Sequence, residues 1–417
     1  MKKNILIVTY YWPPSGAAAV QRWLKIALEL KKTGHNPVIV TTKNGDYPQI
    51  DESLLEVIPK DLKVIKTNSI NYGKIFKLFT REKKLPYGNM AAKTNDNWIK
   101  KVFYWIRMNL IVPDARIGWV PFALKASQKE LALQKFDAVI TTGPPHSSHI
   151  VGYFLKKRFG IKWISDFRDP WTNIIYNQKS KRNSITVKLD KYLEGKIVDN
   201  SDYTFLVSKS WLNLIPKGNI KIMPNAFLAS EFDNVKYHKS DFFRIKYIGK
   251  FINYDFIDDI LNQIGEFSKS HKNIEISFIG DYGCITDELK RTYPNIRFVC
   301  KDFIPHKNAI QEMVDSEILI LLINDYEGNK GLVPSKIFEY IATRTFILGY
   351  GPSDGDAAQY IVESKSGIMI DYGKNDEIMN TLQNQYDVWS KNLYKKNTGD
   401  ITKFSVKSQI KQILELI

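Results

Sequence analysis

The sequence contains little cysteine and no long uninterrupted apolar run. Its two cysteines, Cys284 and Cys300, cannot build a disulfide framework, which indicates a reducing compartment such as the cytoplasm. No run approaches the roughly 18 apolar residues that a membrane-spanning helix needs. The first apolar run, Ile5 to Val8, stops at Thr9 before a Trp-Pro-Pro turn, so we interpret it as a buried first strand and not as a signal peptide.

Acidic residues are fewer than basic ones, 44 against 60, and the formal net charge at pH 7 is +16. Such an excess of positive charge favours an anionic partner, which would be a nucleic acid, a membrane surface or a phosphorylated substrate. Nucleic acid is not expected, because the sequence contains no recognised nucleic-acid-binding motif. The length of 417 residues exceeds one ordinary core, so we expect two domains of roughly 200 residues each.

Much of the positive charge lies in one segment, residues 70–112, which we interpret as a basic and aromatic insertion. Positions 74–107 hold nine basic residues against two acidic ones. On a helix, Trp98, Val102 and Trp105 would share one face. Such a face is typical of a helix at a membrane surface and equally of an amphipathic helix packed on its own domain. Both alternatives stay open here, and contact with an anionic membrane is the expectation.

Short apolar strands alternate with helical stretches in both halves of the chain, a pattern typical of parallel sheets covered by helices. The predicted fold class is α/β, with two Rossmann-like, doubly wound domains facing each other across a cleft. The N-terminal domain is placed at 1–225, the C-terminal domain at 240–395, and a helix that could pack back on the first domain at 396–417. The predicted strands are 4–9, 37–42, 62–66, 136–141, 162–166, 203–207, 220–223, 244–248, 274–279, 296–299, 318–323, 345–348 and 368–370.

In doubly wound domains, ligands bind at the carboxyl ends of the strands. After the first strand, Gly16 and Ala17 let backbone N–H groups approach a diphosphate. The loop is not Gly-x-Gly-x-x-Gly, so a nicotinamide dinucleotide is not expected. After the fourth strand, His146 is predicted to contact a substrate near the reaction centre, the alternative being a structural histidine. His149, one helical turn further, is interpreted as structural.

After the fifth strand, two acids flank an arginine in Asp-Phe-Arg-Asp-Pro-Trp. Arg168 could bind either carboxylate in bidentate fashion and leave the other for a substrate hydroxyl. Asp169 is the better candidate than Asp166, because it lies further beyond the strand. The alternative is a turn whose charges satisfy one another.

The C-terminal half has matching loops. Lys250 follows a glycine directly after a strand, which suits a phosphate oxygen. Phe303 and Ile304 could sandwich a base, and Glu327 or Asn329 could face a sugar.

The segment from Gly331 to Tyr340 follows an apolar strand and opens a helix, with Pro334 expected in its first turn. The N–H groups of Gly331 and Leu332, with the helix dipole, are predicted to bind a diphosphate. Lys336 would add a cation, and Glu339, three residues on, could accept from ribose hydroxyls. The alternative is a surface helix with an ordinary ion pair.

With these residues identified, the chain resembles GT-B glycosyltransferases of the family-four group, which are retaining enzymes that depend on nucleotide sugars. The resemblance covers essentially the whole chain and is nearest to bacterial members that build cell-surface polysaccharides. It rests on four motifs in this order: Tyr-Trp-Pro-Pro-Ser-Gly with Val-Gln-Arg-Trp-Leu-Lys, Thr-Gly-Pro-Pro-His-Ser, Asp-Phe-Arg-Asp-Pro-Trp and Pro-Ser-Lys-Ile-Phe-Glu-Tyr.

The resemblance implies transfer of a hexosyl or N-acetylhexosaminyl group from a nucleoside-diphosphate sugar to a hydroxyl of a glycan or of a polyprenyl-diphosphate-linked acceptor. It assigns Glu339 to the donor ribose, Lys250 to the diphosphate, Gly16 and Ala17 to the contact loop, and His146 to the donor sugar. It implies that no metal or other cofactor is needed. The expected location is the cytoplasm, at the inner face of the cell membrane.

Two departures from the family pattern keep other functions open. Gly331 replaces the first of a pair of acids, and Asp255 replaces a second phosphate-binding cation, for which Lys336 or Lys330 could substitute. One alternative is therefore a non-catalytic basic scaffold that binds membranes or polyanions. The other is a sugar-nucleotide epimerase on the same architecture.

Overall fold

The computed structural model describes residues 1–16, 18–47, 50–70, 72, 98–173, 182–249, 257–280 and 286–417. Two predicted site residues, Ala17 and Lys250, lie outside these ranges. The same is true of Asp255 and of most of the predicted insertion at 70–112.

The chain divides into two compact units, Met1–Pro224 with Gln409–Ile417, and Asn225–Ser408. Residues 226–239, which separate the two predicted domains, belong to the second unit, where the hydroxyl of Tyr237 donates to Glu317 (2.5 Å). The last residues of the chain belong to the first unit, where the ammonium of Lys162 donates to the carbonyl of Leu416 (2.8 Å).

The first unit is built on one parallel sheet of seven strands in the order β3-β2-β1-β4-β5-β6-β7. Residues Ile5 to Val8 of β1, an interior strand, are all buried, as expected for a strand covered on both faces. The strands are β1 Asn4–Val8, β2 Asn36–Thr42, β3 Lys63–Thr67, β4 Ala138–Thr142, β5 Lys162–Arg168, β6 Tyr203–Leu206 and β7 Ile220–Ile222. The described helices are α1 Ala18–Lys32, α2 Ser53–Glu56, α3 Trp98–Asn109, α4 Val120–Leu133, α5 Ser148–Phe159 and α6 Ser184–Asn200.

The second unit is built on a parallel sheet of six strands in the order β10-β9-β8-β11-β12-β13. The strands are β8 Phe243–Ile248, β9 Ile274–Ile279, β10 Ile296–Lys301, β11 Ile318–Leu322, β12 Phe346–Tyr350 and β13 Gly367–Ile370. The described helices are α7 Ile257–Ser268, α8 Thr286–Thr292, α9 His306–Val314, α10 Lys336–Thr343, α11 Asp356–Glu363 and α12 Asn375–Ser390. The last helix, α13 Val406–Glu415, begins in this unit and belongs to the first unit from Gln409 onward. None of the helices in the described ranges is long and apolar enough to cross a membrane.

The predicted fold class is confirmed, and each predicted strand is present with its ends within two residues of the predicted ones. The start of α10 differs. This helix begins at Lys336, so Pro334 precedes it instead of lying in its first turn. The reason is that the carbonyl of Pro334 already accepts from the N–H of Ile337 in a tighter turn (3.1 Å).

The strand order determines where each unit can bind a ligand. In the first sheet the order reverses between β1 and β4, and in the second it reverses between β8 and β11. The carboxyl ends of such strand pairs flank the crevice in which doubly wound domains bind ligands. Four of the loops selected from the sequence follow β1, β4, β8 and β11 and lie at these two switch points, whereas the loops with Asp169 and Phe303 follow β5 and β10.

Candidate functional site

Buried polar atoms without partners mark the carboxyl edge of the first sheet. In the described part of the chain they include Trp12 Nε1 and Ser15 Oγ, in the loop after β1. They also include both ring nitrogens of His146 and Nε2 of His149, which follow β4. Because buried polar groups nearly always have a partner, the loops on both sides of this switch point have hydrogen-bonding capacity left for a ligand or for ordered water.

The imidazole of His146 is held by aromatic rings. It lies parallel to the Trp171 indole, with ring centroids 5.0 Å apart, and 5.6 Å from the ring of Phe167. Burial, with smaller effects of His149 and Arg168, lowers the pKa of His146 well below its usual range. A neutral imidazole has one N–H donor and one acceptor nitrogen, so His146 can bind a sugar hydroxyl. Its contact with a substrate stays a prediction.

His149 is anchored, as a structural role requires. Its Nδ1 lies 2.9 Å from Thr141 Oγ1, its ring stacks on Phe167, and burial lowers its pKa to about 3. A Cβ added to Gly143 would lie 2.8 Å from His149 Nε2 and 2.8 Å from His146 Nδ1. The missing side chain at position 143 therefore lets both imidazoles approach the backbone.

Asp166 has different partners from the predicted ones. It is fully buried and accepts a bidentate pair from Arg22, with Nε 3.1 Å from Oδ2 and Nη2 3.0 Å from Oδ1. It also accepts from Trp23 Nε1 (2.6 Å) and from Thr142 Oγ1 (3.0 Å). The prediction that Arg168 could bind either acid is therefore wrong for Asp166, which is fully buried and paired with Arg22.

Asp169 lies further out and is bound by Arg168, whose Nε and Nη2 are each 3.2 Å from Oδ2. Arg168 has a φ of 57°, in the left-handed region, at an irregularity in the pairing of β5 with β6. The second carboxylate oxygen of Asp169 has no partner among the described residues, and the side chain is a quarter exposed. This geometry suits the predicted contact with a substrate hydroxyl, which stays a prediction.

The role of Arg22 was not predicted from the sequence. Its signal was present, because Arg22 stands beside Trp23 on the buried face of α1, where a guanidinium requires a counter-charge. The choice of Asp166 as that counter-charge was not readable, because 144 positions separate the two residues in the sequence.

The indole that stacks on His146 is itself anchored by α6. Trp171 donates from Nε1 to Asp190 (3.2 Å) and from its backbone N–H to Glu194 (3.2 Å). Both acids lie on the buried face of α6, and burial raises the pKa of each. Asp190 also binds the guanidinium of Arg182 (2.5 Å). The inner face of α6 thus positions the aromatic support of His146.

Gly16 lies two residues before α1, where its lack of a side chain would let an anion approach the start of the helix. The neighbouring Ser15 forms an isolated bridge with Ile50. The predicted contact of Gly16 with a diphosphate stays a prediction.

In the second unit, α10 begins next to the carboxyl end of β8. Lys336 Nζ donates to the carbonyl of Ile248 (3.1 Å) and lies 3.8 Å from the ring centroid of Tyr247. The hydroxyl of Tyr340 accepts from the N–H of Ile248 (3.2 Å). Burial lowers the pKa of Lys336 to about 7. A phosphate at this switch point would favour the charged ammonium and raise that pKa again.

The turn before α10 already uses two of the N–H groups that we predicted for a diphosphate. The N–H groups of Gly331 and Leu332 each donate to the carbonyl three residues earlier, at 3.4 and 2.9 Å. The N–H groups of Val333, Ser335 and Lys336 have no acceptor within the described ranges. A diphosphate at this helix start would therefore be bound by these later groups instead.

The two side chains that we predicted to face a sugar, Glu327 and Asn329, differ in exposure. Asn329 is buried, and its amide donates to the carbonyl of Asn324 (2.9 Å) and to the hydroxyl of Tyr372 (3.1 Å). Glu327 is exposed. Asn329 thus stabilises the turn, and Glu327 is the one that stays accessible.

Glu339 faces a histidine. Its Oε1 lies 3.7 Å from His306 Nε2, and the same nitrogen lies 3.2 Å from Glu231 Oε1. Ligand atoms of these three partly buried residues lie within 4.8 Å of one another, a spacing that could hold a metal ion. Imidazole and carboxylate ligands would suit zinc. Alternatively, His306 positions Glu339 for a ribose hydroxyl.

The remaining predicted contacts lie around the carboxyl ends of β8 to β10. Phe303 is 54% exposed, and Ile304 is partly buried against the core of the unit. Gly249 and Gly280 both have positive φ, and a Cβ on Gly280 would lie 2.5 Å from the carbonyl oxygen of Gly249. These glycines let two backbones approach closely, while Phe303 offers a ring face for a base.

Solved structures resemble this chain along its full length. Sucrose-phosphate synthase from Thermosynechococcus elongatus is 14% identical, with a TM-score of 0.63 over 100% of this chain and 98% of that one. HepE of Anabaena, in a complex with UDP-glucose, is 10% identical, with a TM-score of 0.61 over 100% of both chains. The chain has the GT-B fold.

Similarity at this level of identity concerns the fold alone. A protein described as a UDP-N-acetylglucosamine 2-epimerase, from Listeria monocytogenes, is 11% identical, with a TM-score of 0.53 over 99% of this chain and 95% of that one. No protein-family model matches the sequence, and no curated protein matches it either.

Proposed function

We propose that this GT-B chain is a glycosyltransferase that moves a sugar from a nucleoside-diphosphate donor to an acceptor hydroxyl. The observation that carries the proposal is the start of α10. Three N–H groups without acceptors stand there beside the desolvated ammonium of Lys336, at the switch point of the second sheet. Such a site suits a diphosphate. HepE, a protein of the same fold, binds UDP-glucose.

The second unit would hold the donor. Glu339 would accept from the ribose, with Phe303 and Ile304 against the base. Lys336, and Lys250 from the part of the chain that the structure does not describe, would neutralise the leaving diphosphate. In the first unit, Gly16 and Ala17 would contact the diphosphate, while His146 and Asp169 would orient the sugars. The positive helix end and the lysines would replace a metal, so chelation should leave transfer unchanged.

The transfer would retain the configuration of the sugar. The bond from the anomeric carbon to the leaving phosphate breaks, the acceptor oxygen bonds to that carbon on the same face, and the phosphate takes the proton of the acceptor hydroxyl. Catalysis would come from holding both substrates together and from stabilising the leaving charge. The group transferred would be a hexosyl or N-acetylhexosaminyl residue. The acceptor would be a glycan or a polyprenyl-diphosphate-linked precursor at the inner face of the cell membrane, which the net charge of +16 favours.

A donor screen tests the proposal directly. Purified protein is incubated with nucleotide sugars and a lipid extract, and released nucleoside diphosphate is measured. Glu339→Ala is expected to abolish measurable transfer while the melting temperature stays close to that of the parent chain. Glu266→Ala, in an exposed pair with Lys269, is the matched control. Unchanged turnover of Glu339→Ala would contradict the assignment of the donor site.

The epimerase alternative draws on the shared fold of the Listeria protein. An epimerase converts the nucleotide sugar without acceptor, whereas a transferase releases nucleoside diphosphate only when acceptor is present. A non-catalytic scaffold would show no thermal stabilisation by UDP or GDP. Measuring nucleotide release with and without lipid extract, together with that thermal shift, separates the three functions.

A further inference from the structure

The apolar stripe of α3 points to solvent. Trp98 is 73% exposed and Trp105 is 54% exposed, and Val102 between them is exposed too. The sequence left open whether this helix packs its apolar face on its own domain or presents it to a membrane. The observed exposure argues against the first alternative, because burial of two indoles would have been favourable if the described part of the domain offered a surface for them.

A second helix carries the same pattern at the same spacing. On α6, Ile185 is 77% exposed and Tyr192 is 60% exposed, with Leu189 exposed between them. In both helices the apolar residues stand at the first, fifth and eighth positions of the stripe, and an exposed lysine, Lys101 or Lys188, stands at the fourth. Residues at this spacing share one helical face.

The charges beside the two stripes have one sign on the exposed side, and the exposed acid of α6, Asp199, lies two turns beyond Tyr192. The α3 sequence contains no acidic residue. The acids of α6 near its stripe, Asp190 and Glu194, are buried where they hold Trp171, whereas Lys188 and Lys191 are exposed. Apolar and aromatic side chains flanked by lysines, without acids among them, suit the head groups and upper acyl chains of an anionic bilayer.

The two helices are joined end to end. The side-chain oxygen of Asn109 accepts from the N–H of Asn183 (2.7 Å), and its carbonyl accepts from the hydroxyl of Thr186 (2.7 Å). Two exposed residues, Leu110 and Ile185, lie beside this junction. The last turn of α3 therefore adjoins the first turn of α6.

We propose that α3 and α6 together form the surface by which this protein binds an anionic lipid bilayer, with Trp98, Trp105, Leu189 and Tyr192 entering the interface. This proposal rests on the membrane contact of the proposed function and supplies its surface. The α6 stripe is the new element. Because the inner face of α6 holds Trp171, the helix that contacts lipid also supports His146 in the candidate site.

A second support of the site comes from the end of α3. The chain leaving this helix reaches Asp114, whose carboxylate accepts from the N–H (2.8 Å) and the hydroxyl (2.9 Å) of Ser147. Ser147 directly follows His146. Both proposed docking helices thus lead by short paths to the residues around His146, which suits an acceptor that is itself carried by a lipid.

The test is flotation of the full-length protein with vesicles, in the absence of nucleotide. Vesicles of phosphatidylcholine alone are compared with vesicles of three parts phosphatidylcholine and one part phosphatidylglycerol. Two double variants are used, Trp98→Ser with Trp105→Ser on α3 and Leu189→Ser with Tyr192→Ser on α6. Leu133→Ser, an exposed apolar residue of the same unit, is the control. Melting temperatures establish that each variant is folded.

The parent chain and Leu133→Ser are expected to bind the anionic vesicles and not the neutral ones. Each double variant is expected to bind them at least about tenfold more weakly. Full binding by the folded α6 variant would overturn the proposal. Equal binding to both kinds of vesicle would also overturn it. So would light scattering that shows a dimer of the parent chain and a monomer of the α6 variant, because the stripe would then be a protein interface. UDP-induced thermal stabilisation, measured without vesicles, reports separately on the donor site, so failure of one proposal is distinguishable from failure of the other.

Discussion

An added methyl group at Gly143 would meet both imidazoles of the first-unit site. The Gly143→Ala change places a Cβ 2.8 Å from His146 Nδ1 and from His149 Nε2, so both rings must shift. We expect a loss of about 1–3 kcal/mol in the free energy of unfolding, as for other overpacked positions. Because a displacement of about 1 Å can cost about a hundredfold in rate, transfer should fall by a factor of that order. Urea unfolding and the transfer rate measure the two effects.

Gly195→Ala, on α6, is the matched control, since nothing lies within 4 Å of its added Cβ. This change should be neutral or stabilise the chain by up to about 1 kcal/mol, because alanine favours a helix interior more than glycine does. A Gly143→Ala protein with the parent transfer rate would show that the position of His146 does not matter for the reaction.

Lys336 should make nucleotide binding depend on pH. Burial lowers its pKa to about 7, so the ammonium loses its proton as the pH rises above 7. A bound diphosphate favours the charged form, and binding therefore takes up a proton in this range. We expect the affinity for UDP to fall by up to about tenfold per pH unit between pH 7 and 9. Titration calorimetry in buffers of different ionisation enthalpy measures both the affinity and the proton uptake.

Lys336→Met supplies the control for this pH dependence. Since the pKa of Lys336 is lower in the folded chain than its usual value of 10.5, the folded state holds fewer protons between pH 7 and 10.5. The parent chain should therefore gain stability as the pH rises through this window, and Lys336→Met should lack that gain. A parent chain whose UDP affinity is flat from pH 7 to 9 would argue against contact between Lys336 and the diphosphate.

At the scale of elements, one buried ion pair holds the first-unit site together. Arg22 on α1 binds Asp166 at the end of β5, and it also donates to the carbonyls of Met223 (2.8 Å) and Pro224 (2.8 Å). Thr142, at the end of β4, donates to the same carboxylate. The Arg22–Asp166 pair thus joins α1, β4, β5 and the segment after β7. Its role is to support the site and not to take part in catalysis.

Arg22→Met removes one partner of this pair and leaves Asp166 buried without its counter-charge. We expect the free energy of unfolding to fall by about 3–5 kcal/mol. Lys269→Met, which breaks the exposed pair with Glu266, should cost at most about 1 kcal/mol. Urea unfolding of both variants measures the difference. A cost of Arg22→Met no larger than that of the surface variant would mean that Asp166 finds another partner or becomes neutral.

At the scale of the whole molecule, the excess of basic residues should act on lipid binding more than on nucleotide binding. Exposed lysines such as Lys101 and Lys188 are screened by salt, whereas the desolvated ammonium of Lys336 is screened much less. Raising NaCl from about 0.05 M to about 0.5 M shortens the Debye length severalfold. We therefore expect vesicle binding to weaken strongly while the thermal shift with UDP changes little. An equal loss of vesicle binding and of the UDP-induced thermal shift would mean that the donor contacts lie at the exposed surface.

The sequence alone determined the α/β class, the strands and the loops that follow them. These features depend on local signals, since runs such as 318–323 are apolar throughout and glycines such as Gly143 and Gly249 directly follow a strand. It also selected His146, Asp169, Lys336 and Glu339, because polar residues after a buried strand lie at the ligand-binding edge of a parallel sheet. Their assigned contacts with substrates remain predictions.

Only the tertiary structure decided which partners these residues have. The pairing of Arg22 with Asp166, the stacking of His146 on Trp171, and the approach of His306 to Glu339 join residues from different elements, so no local pattern could predict them. The two faces of α6 are a further case. Periodicity alone does not tell which face of a helix is covered, because that depends on what packs against it. The structure places Asp190 and Glu194 inside and the apolar stripe outside.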